Sequence, residues 1–280
     1  MTDELVQRCR DLARDDASGA TALTLAAADV LLDAIEAGRA GEIAERIAAA
    51  KPAMASLLNL GIAALNAYDP RQAREQVERF RDTLASAPAR AGENAAEWIR
   101  AMKDRCRVVT ISASAAVEAT VRDLHRTGTL TGLTAGESQP RREGRDMAMR
   151  VRSDLPGLDV KIAYDASLPG LMRPDCVVLF GADAVTEGAV YNKAGSLMLA
   201  VVATAWDLPV LSVTTTHKVV PPDGRRRFAA GEREMLARAE DRARAPEDPL
   251  YDLPFEAVSR DLLTAVITED GPLPGPVRKA

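Results

Sequence analysis

Asp183 ends the segment Val177 to Asp183, VVLFGAD, in which a short apolar, β-branched run stops at a glycine. A buried parallel strand reads this way, and in open α/β sheets ligands bind beyond the carboxyl ends of such strands. A carboxylate there can exchange protons with a ligand, and it can equally cap the turn that follows. Asn192 and Lys193 come next, just ahead of a helix starting at Ala194. The free N–H groups and positive dipole end of a helix start favour an anion, so this pair suits a phosphate. Lys218 follows His217, which is either its exposed neighbour or an acid–base group whose pKa suits neutral pH. Glu137, Ser138 and Arg145 lie at and beyond a strand end, where they line a crevice or brace the fold. Asp165, after the third strand, is a candidate further acid. Arg225, Arg226 and Arg227, after the turn Pro221-Pro222-Asp223-Gly224, form a solvated loop or collect a second phosphate. His125, near a helix end, complements that helix dipole and is structural.

The elements that must hold these groups fall into two halves. Residues 1–105 read as a helical N-terminal domain: Leu5, Leu12, Leu23, Leu31, Leu32 and Ile35 form helix-spaced stripes. Glu42 to Leu65, Asp69 to Ser86 and a charged segment from Glu93 continue it, with Pro52 and Pro70 at turns or first-turn positions. Residues 106–280 alternate short β-branched runs with amphipathic segments, as a parallel sheet covered by helices does. The expected strands are Val108–Ser112, Leu130–Gly136, Asp159–Ala163, Val177–Phe180, Val210–Val213 and Ala265–Thr268. The expected fold class is therefore α/β, an N-terminal helical bundle followed by a Rossmann-like, doubly wound, mostly parallel sheet that binds ligand. Asp248 to Phe255 reads as a connecting segment laid over a domain or subunit surface. Thr110-Ile111-Ser112-Ala113-Ser114 stands where a dinucleotide fold carries GxGxxG, so no dinucleotide cofactor is expected.

A formal net charge of -5 over 280 residues argues against a nucleic-acid surface. Cys9, Cys106 and Cys176 have no paired spacing, which suggests neither disulfides nor a thiolate metal site. No metal ligand spacing and no cofactor is indicated. Asp3 and Glu4 precede any apolar run, and no apolar run reaches about eighteen residues. The expectation is a soluble, cytoplasmic protein without a membrane segment.

Five segments carry a resemblance: TISASAAV at Thr110–Val117, ESQPRREGRDMA at Glu137–Ala148, GADAVTEGAVYNKAGSLMLA at Gly181–Ala200, Thr216-His217-Lys218, and TAVITEDG at Thr264–Gly271. Together they resemble the family that joins the alpha, beta and delta subunits of eukaryotic translation initiation factor 2B with ribose-1,5-bisphosphate isomerase and methylthioribose-1-phosphate isomerase. The resemblance implies a sugar phosphate or nucleotide as ligand, and a homodimer formed through residues 106–280 or a hexamer of such dimers.

In the isomerases a cysteine after the first sheet strand works with the aspartate of the Gly-Ala-Asp turn to open the ring of an aldose 1-phosphate and move its C2 proton. The resemblance gives the aspartate role to Asp183 and the cysteine position to Ser112. It gives substrate or phosphate binding to Asn192, Lys193 and Lys218, and to Gly19 and Ala20, which match part of an N-terminal Arg-Gly-Ala element here written Ser18-Gly19-Ala20. The family's Thr-His-Cys-Asn-Ser is here Thr110-Ile111-Ser112-Ala113-Ser114. A serine hydroxyl needs an adjacent base before it can replace a tuned thiol. The expected function is an aldose-ketose isomerase, such as one converting ribose 1,5-bisphosphate to ribulose 1,5-bisphosphate, with Ser112 positioning substrate. The alternative is a non-catalytic, metabolite-binding regulatory subunit.

Overall fold

The structure, a computed structural model, describes residues 3–15, 18–51, 53–244 and 253–275. Pro52 and residues 248–252 of the expected connecting segment lie outside them. The chain order is α1 (Glu4–Arg14), α2 (Ala20–Glu36), α3 (Ala40–Ala48), α4 (Ala55–Leu65), α5 (Pro70–Met102), β1 (Cys106–Thr110), α6 (Ala115–Arg126), β2 (Leu130–Gly136), α7 (Glu143–Asp154) and β3 (Asp159–Ala163). It continues with α8 (Leu168–Leu171), β4 (Cys176–Phe180), β5 (Ala184–Val185), β6 (Ala189–Lys193), α9 (Ser196–Ala205), β7 (Val210–Val213), α10 (Arg225–Ala243), β8 (Phe255–Ser259), β9 (Ala265–Thr268) and β10 (Gly271–Pro272). Among the described residues, no helix is long and apolar enough to cross a membrane.

Two compact units emerge. The first comprises Met1–Ser86, Asp183–Val185 and His217–Pro254. Its core is a layer of small and branched side chains, including Leu23, Ala27, Leu31, Ile43, Ile47, Leu57, Leu60 and Val77. Alanine at the helix contacts brings the backbones close, and leucine and isoleucine fill the space between. A buried hydroxyl pair, Thr24 Oγ1 to Ser56 Oγ at 2.8 Å, ties α2 to α4 without leaving a bare polar atom. The predicted helix Glu42 to Leu65 is two helices, α3 and α4. The predicted helices Asp69 to Ser86 and from Glu93 are instead one, α5. Pro88 removes a hydrogen bond inside it without ending it, because Ala91, Ala95, Ala96 and Ile99 continue a buried stripe beyond the proline.

The second unit comprises Ala87–Ala182, Thr186–Thr216 and Phe255–Ala280. Its seven-stranded sheet has the order β10-β9-β7-β4-β1-β2-β3. β10 pairs antiparallel with β9, and every other neighbouring pair is parallel. The order reverses between β1 and β4, which makes the carboxyl ends of those two strands the topological switch point. β4 is buried along its whole length, as a central strand covered on both faces must be.

The expected strands match, with one informative offset. β1 stops at Thr110, whereas the periodicity carried it to Ser112, because Ser112 turns to φ 70°. Four strands were not foreseen: the two-residue β5 and β10, and the longer β6 and β8. β6 and β8 pair antiparallel, with Asn192 opposite Glu256 and Lys193 opposite Phe255. Asn192 and Lys193 thus end a strand, and the helix begins at Ser196 rather than Ala194.

Candidate functional site

At the switch point the loops after β1, β2 and β3 are laced together. The Ser112 N–H donates to Ser138 Oγ at 2.7 Å. The N–H groups of Ser138 and Gln139 each donate to the Asp165 carboxylate at 2.8 Å. Asp165, expected as a further acid, is therefore a brace for the β2 loop. Glu137 is buried and accepts from the Gln139 side chain at 2.8 Å, while the Arg145 N–H donates to the Glu137 carbonyl. Ser112, Ser138 and Arg142 all have positive φ, and only Asp207 joins them among the described non-glycine residues. Such backbone costs about 1–2 kcal/mol per residue and persists where the surroundings fix it.

The loops after β1 and β4 abut. A Cβ added at Gly181 would lie 2.7 Å from Ser114 Oγ and 2.8 Å from Ser114 Cβ, so only glycine permits this approach. Ser114 also caps α6, accepting from the Val117 N–H. Gly195, at φ 103°, lies similarly close to Ile111.

Two charged side chains meet beside Ser112. Its hydroxyl donates to Glu143 Oε1 at 3.4 Å, and Lys193 Nζ lies 3.4 Å from the same oxygen. Lys193 is buried, so its charge needs such a partner. The other oxygen, Glu143 Oε2, is buried without a hydrogen-bond partner, as are the hydroxyls of Thr110, Thr214 and Thr215. Thr110 ends β1, and Thr214 and Thr215 follow β7, so unmet polar atoms gather on the carboxyl side of the sheet. Unsatisfied buried groups cost about 1–3 kcal/mol each, and a polar ligand would relieve them.

The helix start after Lys193 holds an anion, but it is the protein's own. Glu256 Oε1 accepts from the N–H groups of Gly195 at 2.6 Å and Leu197 at 2.7 Å. The expectation of free N–H groups there is corrected: β8, unforeseen in the sequence, delivers a carboxylate to the start of α9. The Lys193 side chain brings a cation to this end of β6, where it faces Glu143 Oε1. Asn192 is buried, with its amide donating to Ser196 Oγ at 2.8 Å.

Asp183, His217 and Lys218 belong to the first unit. The Asp183 carbonyl accepts from the Ala55 N–H at 2.9 Å, which fixes the turn to the start of α4. Lys218 is buried, and that burial pushes its ammonium pKa below the usual 10.5 against the opposing pull of the Asp183 charge. A carboxylate and a desolvated ammonium are thus electrostatically coupled. His217 is buried, not the exposed neighbour of one expectation: Nε2 is 2.9 Å from Thr83 Oγ1 and the ring packs edge-on to Phe80 at 4.7 Å. Gly19 caps α2 and Ala20 starts it, with Gly19 exposed. Arg225, Arg226 and Arg227 form the first turn of α10, where Arg227 pairs with Glu45 at 2.9 Å.

No cysteine replaces the missing thiol. Cys9, Cys106 and Cys176 are all buried. Burial raises the pKa of each, that of Cys106 to about 11. Among the described residues no group of three or more His, Cys, Asp or Glu is gathered as a metal ligand set. The site residue that sequence reasoning missed is Glu143. Its signal was a carboxylate in the first turn of the helix after β2, hidden in the charged run Arg141-Arg142-Glu143.

A doubly wound parallel sheet with loops converging at its switch point defines a Rossmann-like α/β protein. The profile of the Initiation factor 2 subunit family matches residues 16–275, and the chain belongs to that family. It is similar to ribose 1,5-bisphosphate isomerase of Archaeoglobus fulgidus, at 27% identity over 251 residues, 82% of this chain and 75% of that protein. It is also similar to methylthioribose-1-phosphate isomerase of Alcanivorax borkumensis, at 29% identity over 150 residues, 51% of this chain and 43% of that protein. In fold it matches the translation initiation factor eIF-2B structure of Pyrococcus horikoshii OT3, with a TM-score of 0.77, 19% identity and 98% of each chain covered. The family is the one to which the five motif segments point.

Proposed function

We propose that the protein is a sugar-phosphate isomerase that converts an aldose 1-phosphate, such as ribose 1,5-bisphosphate, to the ketose phosphate. The observation that carries this reading is the similarity to ribose 1,5-bisphosphate isomerase over 82% of this chain, together with the burial of Lys218. Burying a lysine costs stability, and a phosphate would turn that charge to use.

The anomeric phosphate blocks ordinary ring opening, so an acid must protonate the ring oxygen as its bond to C1 breaks. A base then removes the C2 proton as the C1–C2 double bond forms, and the resulting enol becomes the ketose by gaining a proton at C1 and losing one from its 2-hydroxyl. Asp183 is the acid–base carboxylate. Lys218, Lys193 and Asn192 hold phosphate and hydroxyl groups, Gly19 and Ala20 offer the N-terminus of α2 to phosphate, and Ser112 positions substrate. The family's likeness supports a cytoplasmic homodimer or hexamer.

The serine at position 112 favours a second reading, a non-catalytic subunit that binds a sugar phosphate or nucleotide and signals through its contacts. Turnover of ribose 1,5-bisphosphate, compared between the unsubstituted chain and Asp183→Asn, separates the two readings.

A further inference from the structure

Glu143 stands where three constraints converge. A Cβ on its neighbour Gly144 would lie 2.2 Å from the Gly136 carbonyl and 2.4 Å from Ser138 Oγ, so the start of α7 is pressed against the end of β2. The residue before it, Arg142, has φ 62° and donates its N–H to the Ser138 carbonyl at 2.8 Å. Ser138 in turn holds the Ser112 N–H. The carboxylate is thereby fixed on rigid backbone, which is what a group needs if it must meet a substrate atom in one geometry.

Its two oxygens differ. Oε1 faces both the Ser112 hydroxyl and the Lys193 ammonium at 3.4 Å. Oε2 has no hydrogen-bond partner within the protein, and the side chain as a whole is 27% exposed, so a bound molecule can approach the carboxylate. Bonds of this length are common before substrate arrives and shorten in the complex. A serine hydroxyl is a poor base by itself, whereas a carboxylate held in one geometry is an ordinary proton acceptor in isomerisation.

We infer that Glu143 is the catalytic base that removes the C2 proton of the aldose phosphate, with Ser112 and Lys193 orienting it through Oε1. The inference rests on the isomerase reading. In the step, the Glu143 carboxylate takes the C2 proton, the C–H electron pair becomes the C1–C2 double bond, and the pair of the breaking C1–O bond stays on the ring oxygen, which is protonated by the general acid of the isomerase reading. Glu143 then returns its proton to C1 while the conjugate base of that acid takes the proton of the enol hydroxyl, so both groups are regenerated. The base is thus a carboxylate on α7, and the side chain after β1 becomes a positioning residue.

The test measures kcat and KM for ribose 1,5-bisphosphate in the unsubstituted chain, Glu143→Gln, Glu143→Asp and Ser112→Ala, with thermal unfolding of each. The expected result is a kcat lowered by roughly 10²–10⁴ in Glu143→Gln with KM changed by less than about threefold, a partial recovery in Glu143→Asp, and a loss below about thirtyfold in Ser112→Ala. A Glu143→Gln kcat within about threefold of the unsubstituted chain overturns the inference while leaving the isomerase reading intact. A Ser112→Ala loss exceeding that of Glu143→Gln does the same. Absence of turnover in the unsubstituted chain overturns both.

Discussion

Replacing Glu256 by alanine removes the one carboxylate oxygen that accepts from both Gly195 and Leu197 at the start of α9. Each bond is charge-assisted, about 1.5 kcal/mol or more in a buried setting, and the interaction with the helix dipole adds about 0.5 kcal/mol. Glu256 is only half-buried, so water reaches part of the vacated space and reduces the net cost to about 2 kcal/mol. With a urea slope near 3 kcal/mol/M, the unfolding midpoint falls by about 0.7 M. Glu256→Gln keeps an acceptor but loses the charge and should cost about half as much. The second arm is a phosphate titration. In Glu256→Ala the freed N–H groups form an anion site, so phosphate raises its midpoint more than it raises that of the unsubstituted chain. Equal stability of the two chains, or stronger stabilisation of the unsubstituted one by phosphate, refutes the view that Glu256 fills this helix start.

Gly181→Ala forces a Cβ to within 2.8 Å of Ser114 Cβ, and the loops must part. It should destabilise by about 2 kcal/mol and weaken ribose 1,5-bisphosphate binding at least about tenfold, by calorimetry. With Cys106 pushed up to about 11 and the other two thiols also raised, iodoacetamide at about pH 7.5 should leave all native cysteines unmodified and turnover unchanged; mass spectrometry and an activity assay check this. Lys218 has a folded pKa below its unfolded 10.5. Between those values the unfolded chain binds more protons, so stability rises with pH there, and this rise should be missing in Lys218→Met when unfolding is followed from about pH 7 to about pH 10.

The sheet was legible because a buried parallel strand is a short β-branched run with little else to decide it, as at Val177 to Phe180. Its helices were legible for the complementary reason: Ala115 to Arg126 has one apolar face and a serine cap. β6 and β8 were not, since AVYNK mixes polar with apolar residues and its partner is far away in the chain. Missing that pairing hid Glu256, and with it the internal anion at the start of α9. Asp183 was singled out by its position after a strand end, Lys193 by its place before a helix, and Lys218 by the family resemblance. Glu143 was passed over because a carboxylate beside two arginines reads as solvated surface. Only the close packing at Gly144 and the turn at Ser112 bring it to the serine.

The most direct test of the isomerase account is incubation of the purified protein with ribose 1,5-bisphosphate, with ribose 1-phosphate and methylthioribose 1-phosphate in parallel, while NMR follows the ketose carbonyl. The account predicts ketose formation from one of these aldose 1-phosphates and its loss in Asp183→Asn with substrate affinity retained. Tight binding without any ketose, equal in both chains, would contradict it and identify a metabolite-binding subunit instead.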